Sequence, residues 1–296
     1  MTDRVSRREA IGRLTAASAG LVLAGTVARR GAADPGVRRG HPGAAAGLPA
    51  VQAGRGAAAG RGIVAAGRPV EIVVSPVSEA TVRLSVLPLD AGAPAEVPLD
   101  GSLVQAEWGP PAGRLRDGGA APPVRAGRFV VRYTPDPPAI RVETESGALV
   151  QRLTLDPERP DVRFLLSDGP LLGLGQGGPQ FDRRGSVDRM RSGQGAYQLR
   201  THGGRVPIQW LIGTSPGGSA GRHADGGAAG WAMFVHQPLG RFDFTGPEGR
   251  FVPFAGAPLL DVFVVGSRDP AVIMGEYARI TGAPELPPLW SLGYLQ

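Results

Sequence analysis

From Arg68 onward, apolar residues recur at alternate positions. Val70, Ile72 and Val74 alternate along one run, and Val82, Leu84 and Val86 alternate with Arg83 and Ser85 along the next. A period of two sets one face of a strand on a core and the other in water, so both runs read as strands with Arg83 and Ser85 outward. Ile140, Val142 and Thr144 before Glu145-Ser146-Gly147, and Leu149, Leu153 and Leu155 after it, predict a hairpin about that turn. Further strands are expected at Phe129–Tyr133, Ile208–Ile212, Trp231–Val235 and Asp261–Val265, separated by Gly/Pro-rich turns. One helix is predicted over Pro270–Ile280. Asp269 caps it, Pro270 suits its first position, Ile273, Tyr277 and Ile280 share a face, and Gly282 with Pro284 stops it. Many strands with one helix predict a mainly β chain built as a large antiparallel β-sandwich.

Composition sharpens the picture at the amino end. Residues 29–67 are Ala, Gly, Arg and Pro with hardly a large side chain, so burial cannot repay their ordering, and they read as a linker. Before them, Ser6-Arg7-Arg8-Glu9-Ala10-Ile11 precedes an uncharged stretch from Leu14 to Val27. This resembles a twin-arginine export signal over residues 1–28, with Arg7 and Arg8 as its recognition pair, and implies a periplasmic or extracellular destination. The apolar run is too short and weak to anchor the chain stably in a membrane.

The 32 basic residues against 26 acidic are all arginine, and many lie in the leader and its flank, which argues for codon bias rather than a nucleic-acid partner. With no cysteine there are no disulfides or thiolate sites. The four histidines, His41, His202, His223 and His236, form no metal-ligand spacing and read as surface or hydrogen-bonded core residues, so neither metal nor cofactor is expected. Two motifs tempt and fail. Gly173, Gly175 and Gly178 fit G-x-G-x-x-G, but Pro179 follows and no helix begins there to hold a pyrophosphate. Gly213-Thr214-Ser215-Pro216-Gly217 fits the nucleophile elbow G-x-S-x-G, but Pro216 has no N–H for an oxyanion, so His223 and Asp225 read as a solvated pair.

The order of several segments carries a resemblance. Gly173-Leu174-Gly175-Gln176, Val206-Pro207-Ile208, Gly230 to Pro238 and Asp261 to Val265 are followed by Tyr277-Ala278-Arg279-Ile280-Thr281-Gly282 and by Leu286 to Tyr294. Together they look like the amino-terminal sandwich of glycoside hydrolase family 31 and its passage into a catalytic barrel. The resemblance implies a galactose-mutarotase-like sandwich over residues 68–283, then the first strand of a truncated (β/α)8 barrel over 284–296. It also implies a retaining α-glycosidase acting on α-glucosides or α-xylosides, with an α-linked oligosaccharide as partner once the barrel is present. Such an enzyme needs two carboxyl groups about 5 Å apart. The family's W-x-D-x-N-E nucleophile motif has no counterpart here, so the chain is expected to hold no catalytic residue and to be inactive alone. The family's sugar-site loop should fall between Asp188 and Arg205, where Tyr197, Gln198, Arg200 and His202 suit stacking and hydroxyl hydrogen bonds. The N-R-D triplet frequent in that loop is absent. The alternative reading is a freestanding secreted sandwich that binds carbohydrate or packs against a partner.

Overall fold

The computed structural model describes residues 62–119, 121–178, 180–191, 206–214, 230–237, 239–254, 260–288 and 291. Among them, in chain order, lie β1 (Val64–Ala65), β2 (Arg68–Ser78), β3 (Thr81–Asp90), β4 (Ala93–Pro94), β5 (Gly113–Leu115), β6 (Val124–Ala126), β7 (Phe129–Pro135), β8 (Pro138–Thr144) and β9 (Leu149–Leu155). They continue as β10 (Val162–Leu165), β11 (Leu171–Gln176), β12 (Val187–Asp188), β13 (Val206–Gly213), β14 (Trp231–Val235), β15 (Gly240–Asp243), β16 (Glu248–Pro253) and β17 (Leu260–Gly266), then helix α1 (Pro270–Thr281). Two antiparallel sheets result. Sheet A runs β1-β2-β3-β17-β14-β13-β11, with β4 beside β3 and β5 beside β2. Sheet B runs β12-β15-β16-β10-β9-β8-β7-β6.

The two sheets bury one face each against the other, as the alternation requires. Val74, Leu84, Val264, Met233 and Leu211 of sheet A meet Val131, Ile140, Leu153, Phe164 and Phe242 of sheet B in one core. At its centre Trp231 meets Phe164 edge to face, with ring centroids 6.3 Å apart. Each such buried side chain contributes about 1.5–3 kcal/mol relative to leaving it in water. The expected β-sandwich is therefore the observed one.

The other face of sheet A departs from expectation. Arg83 and Ser85 are buried, not in water, because α1 and the segment 95–112 cover that face. Ile273 and Ile280 of α1 pack against Trp210, Phe234, Phe263 and Val265, with Leu103, Trp108 and Tyr277 at the rim. Glu276, buried on the same helix, accepts hydrogen bonds from Ser78 Oγ and Thr81 Oγ1, each 2.7 Å. The cap is as predicted: Asp269 Oδ1 accepts from Ala271 N at 2.8 Å, and Gly282 ends the helix.

The sandwich also includes residues before the expected linker boundary at Gly67. Ile63 is buried, and β1 pairs with β2 through a tight turn at Ala66-Gly67, both at positive φ (51° and 71°). Such turns are announced by Asn-Gly or Asp-Gly; an alanine in the first position conceals this one. At the carboxy end, residues 283–288 form neither helix nor strand and Leu286 is 95% exposed. The expected barrel strand at Trp290–Tyr294 lies outside the described residues save Ser291.

Candidate functional site

The expected sugar loop leaves one sheet and returns to the other. Asp188 ends β12, the edge strand of sheet B, and Val206 begins β13, next to the edge of sheet A. Asp188 is buried, and its Oδ1 accepts from Met190 N at 3.1 Å; Met190, at positive φ (38°), is buried in the core. Arg191 follows, exposed. Tyr197, Gln198, Arg200 and His202 lie outside the described residues, as do Arg7 and Arg8.

The frame beside this loop is the glycine-rich edge strand β11. Gly173 and Gly175 have positive φ (105° and 80°), and a side chain at either would meet the backbone of β13. The pairing slips between them as a bulge that turns carbonyls inward. Those carbonyls seat a guanidinium. Arg183, 5% exposed, donates from Nη2 to Gly173 O and Gly177 O at 2.9 Å each, and from Nε to Gly173 O at 3.1 Å. The G-x-G-x-x-G spacing thus has the polarity opposite to a phosphate cradle: oxygen atoms face a cation. Among the described residues that follow, 180–188, no helix begins. Arg183 itself was illegible, because nothing in Arg183-Arg184 tells the buried arginine from its neighbour.

A second polar assembly lies under the 95–112 segment on the outer face of sheet A. Arg83 on β3 donates from Nε and Nη2 to the two carboxylate oxygens of Asp261 on β17, at 2.9 and 2.8 Å. Ser85 Oγ donates to Asp261 Oδ1 at 2.7 Å. His236, just past β14, bonds Asp261 Oδ2 through Nδ1 at 2.8 Å and Asp100 Oδ1 through Nε2 at 3.1 Å. Burial disfavours the charged imidazole, but hydrogen bonds to Asp100 and Asp261 outweigh it and raise its pKa to about 9. Burial likewise opposes ionisation of Asp100 and Asp261, yet the bonds from His236, with Arg83 on Asp261, hold both below the usual carboxylate range. Near neutral pH the set is two cations between two anions, each satisfied. Such groups hold strands and loop together; none is poised to donate or accept a proton.

His236 is therefore the hydrogen-bonded core histidine its sequence context allowed. Of the elbow motif, Gly213 packs flat on the Trp231 indole and Thr214 Oγ1 donates to Pro170 O at 2.7 Å. Ser215, His223 and Asp225 lie outside the described residues. Among the described residues no group of three acidic or histidine side chains is placed to hold a metal ion. An open groove of about 910 Å³ runs beside the network, with Arg83, Ser85, Glu96, Glu107 and Arg114 on its walls.

No protein-family model matches the chain, and no curated protein matches it in sequence. Solved structures do match it in fold. A GH31 dextranase from Flavobacterium johnsoniae, complexed with glucose, superposes with a TM-score of 0.57 at 17% identity, over 76% of this chain and 27% of the dextranase. An uncharacterized protein from Listeria monocytogenes, in complex with α- and β-D-glucose, magnesium and calcium, gives 0.52 at 18% identity, over 75% of this chain and 21% of that one. The chain thus spans about a quarter of the length of these neighbours. At such identities the likeness establishes the fold: this sandwich is one that a GH31 enzyme also contains.

Proposed function

We propose that this chain is the sandwich of an exported retaining α-glycosidase of the GH31 kind, acting on α-glucosides or α-xylosides through carboxylates of a neighbouring barrel. The observation that carries the reading is the fold shared with the dextranase over 76% of the chain. The motif order from Gly173 to Tyr294 supports it independently. In this reading Tyr197, Gln198, Arg200 and His202 reach the sugar from the loop rooted at Asp188 and Val206, and the sandwich contributes fit rather than bond cleavage. Export follows from the Arg7-Arg8 leader.

The test is to read the coding DNA past the Gln296 codon and assay the extended protein for glucose release from isomaltose and xylose release from α-xylosides. The expected result is a frame continuing through W-x-D-x-N-E, with hydrolysis abolished by replacing the motif's aspartate. A frame without a barrel, or an extended protein inert toward every α-glycoside, would overturn it. Saccharide binding by this chain without turnover would then favour the freestanding binding module.

A further inference from the structure

The outer face of sheet B carries an arginine on each of seven neighbouring strands. Arg132, Arg141 and Arg152 stand directly opposite one another on β7, β8 and β9. Arg163 stands opposite Arg250 on β10 and β16, one diagonal step further on. Arg125 on β6 and Arg241 on β15 mark the two flanks. Each occupies an outward position, alternating with core residues such as Val131, Val142, Leu153, Phe164 and Phe251. Like charges directly opposite across a sheet are unfavourable, so the ladder needs compensation.

Compensation comes from below. Glu143, its side chain 11% exposed, accepts from Arg132 Nε at 3.1 Å and from Arg141 Nε at 2.9 Å, while those side chains are 49% and 28% exposed. Asp161 and Asp243, 13% and 20% exposed, pair with Arg250 at 33%. Two carboxylates stand near the level of their partners: Glu248, paired with Arg152 at 2.9 Å, and Glu145, paired with Arg125 at 3.4 Å on the flank. Glu143, Asp161 and Asp243 are sunk below their partners, and Arg163 and Arg241 add guanidinium groups outside these ion pairs, so over the middle of the sheet an approaching solute meets positive charge first. We propose that this face binds a linear polyanion laid across the strands, namely an acidic polysaccharide.

Spacing and shape select that occupant. Neighbouring strands lie about 4.8 Å apart, so the five strands from β7 to β16 present guanidinium groups over about 19 Å. An acidic polysaccharide carries a carboxylate on successive sugar rings, a repeat of the same order, and guanidinium pairs with carboxylate in a two-pronged geometry. The outward positions of these strands hold no aromatic side chain, so single-stranded nucleic acid would find no stacking platform. A flat sheet offers no helix or arm to enter a duplex groove. The proposal does not depend on the barrel.

The experiment titrates the full chain with polygalacturonate, with neutral dextran as control and single-stranded DNA and phosphatidylserine vesicles as rivals, at several salt concentrations. Binding to polygalacturonate is expected at low salt, falling as salt rises. The triple variant R132Q/R141Q/R152Q should weaken it about tenfold or more. Because that variant strands carboxylates, R163Q/R241Q is the second probe: it leaves every ion pair named above intact, should keep the melting temperature, and should weaken binding several-fold. Absence of polygalacturonate binding overturns the proposal. So does binding unchanged in both variants, which would assign it to the arginine-rich leader, or equal binding to DNA or vesicles.

Discussion

At the scale of single residues, His236 joins Asp100 of the covering segment to Asp261 of the central strand and has a definite pH signature. Its pKa is raised from about 6.5 to about 9, so its contribution is complete below about 6.5, declines above that, and is gone once pH passes about 9. The two aspartates behave oppositely. Their depressed pKa values stabilise the fold above the ordinary carboxylate range, and that share is lost as pH falls. Thermal denaturation should therefore show an alkaline loss of stability between pH 6.5 and 9, and His236→Gln should remove that limb; an identical alkaline limb in the variant would refute the assignment. His236→Ala should cost about 1–3 kcal/mol near pH 6, because Asp261 keeps Arg83 and Ser85 and part-exposed Asp100 keeps Ser102 N when the imidazole is lost. None of this was legible locally. Arg83 and Asp261 are 178 residues apart, and an arginine between Val82 and Leu84 looks like a solvated strand face until its partner is known.

At the scale of elements, the strands and the helix follow from local physics. Alternation marked β7, β13, β14 and β17 to within a few residues, and the Glu145-Ser146-Gly147 turn joins β8 to β9 as expected. The helix was legible because its signals are chemical as well as periodic: a cap, a first-turn proline and a terminal glycine. Asp269→Ala should destabilise the protein by about 1 kcal/mol in urea unfolding. Glu276→Gln should cost more, since it weakens the acceptor that ties α1 to both Ser78 and Thr81. A larger loss from the cap than from Glu276 would mean that the helix is held by its own ends rather than by the sheet. The face that Ile273, Tyr277 and Ile280 share packs on sheet A, whereas Leu286, just past the helix, is open to solvent.

At the scale of the whole molecule, the order of strands was beyond local reading. Alternation says which face of a strand is apolar but not which strand lies beside it, and sheet A sets β3 against β17 and β17 against β14. The proposed export gives this topology a test. A twin-arginine route carries folded protein, so replacing Arg7 and Arg8 with lysine should retain a folded, soluble chain in the cytoplasm; unchanged export would remove the claim. Synthesis adds a further consequence of the Arg83–Asp261 pair. The β2–β3 hairpin emerges from the ribosome about 180 residues before β17, a delay of roughly ten to forty seconds at ordinary elongation rates. Throughout that wait the far edge of β3 is open in the nascent chain, and an open apolar edge invites pairing with another chain. Arg83 and Ser85 keep the flanking face charged and hydrated until Asp261 arrives, so the residues that later lock the finished sheet first act as gatekeepers for the unfinished one.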